Sequence, residues 1–152
     1  MQFTTTLVAA TLALTASAAP SGEMEARADP VKGSNTPGSI FQFGDYKKCR
    51  KTFRDSGACG ISTYFKNVDQ NMPLIALPSG YFDKHGPSDQ ENKLCGKVIT
   101  LTHNGVTKKA VVADENTSSE QSIDMCLELW QAFGGHDNDG TLIKPFSWSI
   151  AV

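Results

Sequence analysis

Two carboxylates, Asp114 and Asp124, are the residues of this chain whose types could do acid–base or binding chemistry as a pair. Asp114 directly follows the apolar end of a predicted strand, and Asp124 lies near the start of a predicted helix. Hydrolysis of a glycoside needs a protonated acid and an ionised base or nucleophile, whereas a single carboxylate can hydrogen-bond a glycan without cleaving it. Each aspartate also has a structural interpretation, as a strand-end turn residue or as a helix N-terminal residue. Binding and hydrolysis are therefore both open for this pair.

The strand that carries Asp114 belongs to the clearest element of the sequence. Cys95 and Gly96 precede an alternating β-branched run, and Asn104-Gly105 supplies the two positive φ angles of a tight type I′ turn. The return strand covers residues 107–113. The pattern predicts a β-hairpin over residues 97–113 that delivers Asp114 to its end.

Exposed aromatic and basic side chains offer a second kind of contact. Tyr46 and Tyr64 both lie beside polar residues, and we expect them to be partly exposed and able to stack on sugars or to contact a protein. The basic run 47–51 is typical of a solvated surface. The alternative is a contact with an acidic polymer or an acidic partner.

The four cysteines indicate an oxidising compartment. Residues 7–16 form a short apolar stretch before the small-residue motif Ala16-Ser17-Ala18, which is typical of a secretory signal peptide. Two disulfides are expected, with three possible pairings. The cysteines contain no C-x-x-C spacing and the three histidines are scattered, so neither a metal site nor another cofactor is predicted. Asn116 begins an N-glycosylation sequon.

Composition limits the partners and the domain organisation. The 14 Lys and Arg nearly balance the 16 Asp and Glu, which argues against binding of nucleic acid or of an anionic membrane surface. Past the signal region no apolar run is long enough to span a bilayer. We predict a signal peptide over 1–18, a propeptide or flexible leader over 19–36, and one secreted, monomeric domain over 37–152.

The remaining elements are short and mostly strands. A helix is expected from Ser122 or Asp124 to Gly134, because apolar residues recur at the spacing i, i+3, i+4 and i+7. Residues 44–60 and 81–91 are interpreted as polar loops. Strands are expected over 38–43, 61–65 and 73–78, and over the alternating C-terminal residues 146–152. This order favours a small β-barrel or sandwich.

Several short motifs, taken in order, resemble the double-psi β-barrel family. They span residues 57–152 and read Gly57-Ala58-Cys59-Gly60, Leu74 to Phe82, Cys95-Gly96-Lys97, Val111 to Asp114, Ile123-Asp124-Met125 and Trp148. The family includes RlpA-like domains, barwin, loosenins and the first domain of expansins, with some glycoside hydrolases as more distant relatives. The resemblance implies an all-β, six-stranded barrel with one or two short helices and a surface groove.

The same resemblance implies pairings and functions. Barwin-like members imply Cys59–Cys95, which leaves Cys49–Cys126, and expansin-like members imply Asp124 as a groove residue. Non-hydrolytic binding of cell-wall polysaccharide is the main expectation, and the pattern favours a binding protein over an enzyme. The alternative is a protein-binding effector or an inhibitor of papain-like cysteine proteases. Three departures favour it. Phe41-Gln42-Phe43 lacks the usual groove threonine, and residues 115–118 lack the two cysteines that many relatives carry after this aspartate. The third is the added N-terminal segment with Cys49.

Overall fold

Six strands close into a barrel in the computed structural model, which describes residues 29–152. The predicted signal peptide and residues 19–28 of the predicted leader lie outside the described residues. The strand order around the barrel is β1-β5-β2-β4-β3-β6. The strands are β1 (Val31–Gln42), β2 (Leu74–Pro78), β3 (Val98–His103), β4 (Val106–Asn116), β5 (Ile123–Cys126) and β6 (Ile143–Ile150).

The barrel mixes parallel and antiparallel pairs. β1 runs parallel to β5, and β2 runs parallel to β4, while the other neighbours are antiparallel. Closure leaves no unpaired sheet edge, because each strand has two neighbours. The predicted all-β, six-stranded double-psi barrel is confirmed as the fold class.

Alternating side chains fill the interior of the barrel. Ile99, Leu101, Phe146, Trp148 and Ile150 point inward from β3 and β6 and are buried. β2 is buried along its whole length, as its apolar run between prolines predicts. Both tryptophans of the chain, Trp130 and Trp148, lie in the core, as predicted.

The predicted hairpin is present as β3 and β4. Asn104 and Gly105 have φ angles of 45° and 80°, which are the two positive values of the expected tight turn. The strands pair in continuous register from Val98↔Val111 to His103↔Val106. β4 continues to Asn116, so Asp114 lies within the strand rather than after it.

Helices are more numerous than the one or two that were predicted. They are α1 (Tyr46–Ser56), α2 (Ile61–Tyr64), α3 (Ser79–Phe82) and α4 (Leu127–Ala132). A 3-10 turn over Asp83–His85 directly follows α3. Interpreting 44–60 as a loop was wrong. Asp45 caps α1, and Cys49 and Phe53, four positions apart, bury one face of it. The dense basic residues between these positions obscured that short apolar repeat.

Two further assignments were wrong for related reasons. Residues 61–64 form a helix instead of a strand, with Gly60 at its N-cap in the left-handed region. Residues 123–126 form β5 instead of the start of a helix, because they pair with both β1 and β2. The helical spacing read from Cys126 onward is real, but the helix itself begins only at Leu127.

The N-terminal boundary at residue 37 was placed too late. β1 begins at Val31, which pairs with Ile150 of β6. Gly33 lies opposite Trp148, and no side chain larger than hydrogen fits beneath that indole. The polar, proline-containing sequence of 31–36 looks like a leader, but cross-strand pairing with β6 makes it part of the barrel.

Candidate functional site

Asp114 and Asp124 lie on either side of one residue of the central strand. Ala76 of β2 pairs with Asp114 of β4 on one side and with Asp124 of β5 on the other. Neighbouring strands are about 4.8 Å apart, so the two aspartate Cα atoms are separated by roughly 10 Å. The structure therefore brings together the two carboxylates that the sequence singled out.

Asp124 is the end point of a hydrogen-bond network. The Ser39 hydroxyl donates to Asp124 Oδ1 and lies 2.6 Å from the Ser122 hydroxyl oxygen. The Asn116 amide donates to the same Oδ1 at 3.1 Å and to the main-chain oxygen of Ser122 at 2.9 Å. In the polar network, defined as Ser39, Asn116, Ser122 and Asp124, groups from β1, β4 and the loop before β5 thus hold one oxygen of the Asp124 carboxylate.

Burial controls the charge of Asp124. Loss of water around the carboxyl group raises its pKa above the usual range, and the Ser39 and Ser122 hydroxyls counter this in part. The negative charges of Asp114 and Glu120 raise the pKa further. Protonation of Asp124 is therefore easier than for an exposed aspartate.

Asp114 has different partners and a different role. Its Oδ1 accepts the main-chain amides of Ala58 at 2.7 Å and of Glu115 at 2.9 Å. Burial raises the pKa of Asp114, and these two amide donors lower it in part. The carboxylate fixes the loop that contains Cys59, so its observed contacts are those of an anchor for main chain.

Asn116 is poorly placed to carry a glycan. The side chain is buried at 7% exposure, and its amide nitrogen, the atom that a glycan would modify, donates to Ser122 and Asp124. A glycan there would require these bonds to break and the side chain to leave the barrel. The folded structure argues against the glycosylation that the sequon predicts.

A second feature, which we name the braced segment, comprises residues 57–72. Its start is fixed by the Cys59–Cys95 disulfide, and its middle by Phe65, whose ring packs against Gly96. Gly96 has a φ of 70°, and a Cβ at this position would overlap the Phe65 ring. The end is held by Arg50 of α1, whose guanidinium donates to the carbonyl oxygens of Gln70 and Met72.

Tyr64 projects from the braced segment. It is 59% exposed, which exceeds the exposure of any other large hydrophobic residue in the described part of the chain. Beside it lies a cavity of about 350 Å³ whose lining includes Phe65, Met72 and Val98. Tyr64, on a main chain held at three points, and the half-exposed Val98 of β3 both line this cavity and form an apolar surface.

Tyr46 lies elsewhere, at the first residue of α1. It is 39% exposed, so the predicted partial exposure of both tyrosines is observed. Neither tyrosine takes part in the hydrogen bonds of Asp124 or Asp114. The four candidate residues thus occupy three separate places: the aspartate pair, the braced segment and α1.

The second disulfide is Cys49–Cys126, which links α1 to the end of β5. Both bridges are the pairs that the family resemblance implies. Within residues 29–152, no group of three or more His, Cys, Asp or Glu side chains is arranged to hold a metal ion. No helix in that range is long and apolar enough to cross a membrane.

Ser39 and Ser122 were not expected from the sequence. Ser39 lies 85 positions from Asp124 in the chain, so only the parallel pairing of β1 with β5 brings them together. An alternation pattern in β1 predicts which face Ser39 occupies, but not which strand lies beside it. Asn116 was noticed only as a sequon, and its role as a donor to Asp124 was missed.

Comparison with solved structures identifies the same fold in the Streptomyces papain inhibitor. The TM-score is 0.51 at 20% sequence identity, and the match covers 79% of this chain and 96% of the inhibitor. No family model matches the sequence. No curated protein matches it either. The likeness places the chain among six-stranded barrels and describes the fold alone.

Proposed function

We propose that this protein is an extracellular inhibitor of papain-like cysteine proteases that acts through the braced segment. The observation that carries the proposal is the exposure of Tyr64 on main chain fixed by a disulfide, by Phe65 on Gly96 and by Arg50.

Rigidity is what an inhibitor of a protease requires. Ordering a loop on binding costs free energy, and a segment fixed beforehand avoids much of that cost. Large aromatic side chains such as tyrosine often dominate protein interfaces, because they bury much apolar area with little loss of rotamer freedom. Tyr64 beside Val98 has this character.

Two further observations support the proposal. The fold shared with the Streptomyces papain inhibitor extends over 96% of that protein, so the framework is one on which such inhibition occurs. The two disulfides fit a protein exported to an oxidising compartment. We infer a secreted, monomeric protein.

Inhibition of papain tests the proposal directly. The wild-type protein is titrated against papain, and we expect inhibition that Tyr64→Ala weakens at least about 30-fold, the effect of losing one interface hot spot. Tyr46→Ala is the matched control, because it removes a ring of the same size, 39% exposed, from α1 and outside the braced segment. Absence of inhibition by wild type in micromolar excess over several papain-like proteases would overturn the proposal.

Binding of a cell-wall polysaccharide is a second candidate function. It is favoured by the polar network, in which serine hydroxyls and an amide orient one oxygen of Asp124. Hydroxyl, amide and carboxylate groups are those that bind sugar hydroxyls. Retention on insoluble chitin and cellulose, compared between wild type and Asp124→Asn, tests it. Equal retention of the two proteins on every polymer would rule out Asp124 as the binding residue.

A further inference from the structure

Positive charge is concentrated on α1. This helix of 11 residues contains three Lys and two Arg, five of the 14 basic residues of a chain whose net charge is −2. It has a single acidic residue, Asp55, which pairs with Lys51 at 2.6 Å. The charge of α1 therefore differs in sign from that of the rest of the protein.

The helical geometry places most of these cations in one row. Lys47, Lys51 and Arg54 are spaced i, i+4 and i+7, so they share one face of α1. With a rise of 1.5 Å per residue, successive members are about 6 Å and about 4.5 Å apart along the axis. A shallow cavity of about 160 Å³ lies along the row, lined also by Arg50 and Asp55. We name Lys47, Lys51 and Arg54 the basic row.

Arg50 lies beside the basic row and is held in place by hydrogen bonds. The guanidinium of Arg50 is held by two carbonyl oxygens of the braced segment, and burial lowers its pKa. Lys51 and Arg54 are exposed. A long anion lying on α1 would therefore meet exposed cations along the row, of which Lys51 also pairs with Asp55, and would have the fixed Arg50 at its side.

Exposed aromatic rings border the N-terminal end of α1. Phe41 near the end of β1, Phe43 just after that strand, and Tyr46 are each about 40% exposed. The Phe41 ring packs on Phe53 of α1 at a centroid distance of 4.7 Å, which ties this group to the helix. We name Phe41, Phe43 and Tyr46 the aromatic edge.

We propose that the basic row and the aromatic edge together bind a linear acidic polysaccharide, a polyuronate. The carboxylate of each uronic acid complements the lysines and the arginine, and the apolar C–H face of a pyranose ring packs on an aromatic ring. An acidic peptide satisfies the cations but has no ring face for the aromatic edge. The surface lies on α1 and includes neither Asp114 nor Asp124, whose negative charges would repel a uronate.

Charge variants of the full disulfide-bonded protein test the basic row. Polygalacturonate is the probe, and its dissociation constant is measured at low and at physiological salt. We expect Lys47→Gln/Lys51→Gln/Arg54→Gln to raise this constant about tenfold or more, since specific charges focus the attraction. The control Lys93→Gln/Lys97→Gln/Lys109→Gln removes the same charge from exposed positions elsewhere and should change it by no more than about threefold. Equal losses in the two triple variants, or no binding by wild type, would overturn the proposal.

The aromatic edge separates a sugar from an acidic peptide. Tyr46→Ala should weaken binding of polygalacturonate about three- to tenfold, as expected for one lost aromatic contact, and leave binding of polyglutamate unchanged. Equal effects of Tyr46→Ala on the two polymers would indicate an acidic protein partner and would overturn the proposal that the ligand is a polysaccharide. Papain inhibition by each variant is measured in parallel. Because the basic row is distinct from Tyr64, loss of one activity without the other distinguishes failure of this proposal from failure of the proposed inhibitor function.

Discussion

The Asp114 carboxylate accepts the main-chain amide of Ala58 at 2.7 Å, across 56 positions of the chain. Ala58 directly precedes Cys59, where the braced segment is linked to Cys95. A residue whose pattern suggested chemistry on a sugar is thus the anchor of the segment that displays Tyr64.

Removing this anchor should loosen the braced segment. Asp114→Ala leaves the Ala58 amide without its partner, and we expect a loss of about 1–3 kcal/mol in the free energy of unfolding. Papain inhibition should weaken as well, because Tyr64 then sits on a more mobile main chain. Asp114→Asn retains an oxygen acceptor and should restore most of both properties. Urea denaturation and an inhibition titration measure the two effects. Unchanged inhibition by a destabilised Asp114→Ala protein would separate Asp114 from the function of the segment.

Contact between Phe65 and Gly96 gives a second prediction. Gly96→Ala places a methyl group at a position with a φ of 70° and in overlap with the Phe65 ring. Gly105→Ala is the matched control, with a φ of 80° and no heavy atom within 4 Å of the added carbon. The control should cost about 1–2 kcal/mol of unfolding free energy for its backbone conformation alone. Thermal denaturation should show a larger loss of unfolding free energy for Gly96→Ala than for the control. Equal losses would show that the Phe65 ring moves aside with no cost in stability.

Disulfide removal separates stability from function. The sequence separations are 36 residues for Cys59–Cys95 and 77 for Cys49–Cys126, and loop-closure entropy predicts a loss of about 4 kcal/mol or slightly more for each. The first bridge joins the braced segment itself to Cys95, whereas the second fixes α1 at the residue before Arg50. We expect Cys59→Ala/Cys95→Ala to weaken papain inhibition at temperatures where it is still folded, and Cys49→Ala/Cys126→Ala to inhibit normally when folded. Similar inhibition by both folded variants would show that the brace is dispensable.

Local patterns were sufficient for some of the fold. The turn at Asn104-Gly105 needs positive φ angles that this dipeptide adopts readily, so the hairpin could be predicted without knowledge of the rest of the chain. β2 could also be predicted from local sequence, because its apolar run lies between two prolines. The closed barrel was reached only through the resemblance, since short motifs in order do not by themselves specify strand partners.

Long-range pairing explains what the sequence did not reveal. Ser39 meets Asp124 only because β1 lies parallel to β5, and a parallel partner can lie anywhere along the chain. β5 looked helical in the sequence because a helical spacing of apolar residues starts at Cys126. In the structure, pairing with β1 and β2 outweighs that spacing and makes residues 123–126 a strand. The braced segment was missed for the same reason: Tyr64 was noticed, but the contact of Phe65 with Gly96 depends on tertiary structure.

Occupancy of Asn116 provides a prediction about modification. The side-chain amide is buried and donates to Ser122 and Asp124, so we expect no N-glycan on the folded protein. Expression in a eukaryotic secretory host, followed by intact mass measurement before and after treatment with an endoglycosidase, checks this. A mass decrease after treatment would mean that the polar network does not form in the secreted protein.

The pH dependence of stability tests the charge state of Asp124. Its pKa is raised in the folded protein chiefly by burial, relative to an unfolded value of about 3.9. The folded state therefore binds the proton more tightly, and the stabilisation from the protonated form is complete below the unfolded pKa and is lost as the pH rises through the folded pKa. Asp124→Asn removes this titration.

Unfolding free energies of wild type and Asp124→Asn should accordingly diverge as the pH rises from about 4 and differ by a constant amount near neutrality, in favour of the variant. Asp55→Asn is the control of opposite sign, because the hydrogen bond from Lys51 lowers the pKa of that exposed carboxyl. Urea denaturation at several pH values gives the comparison. If the difference between wild type and Asp124→Asn were independent of pH, the carboxyl would titrate as an exposed aspartate does, and the hydrogen bonds of Ser39 and Ser122 would offset its burial in full.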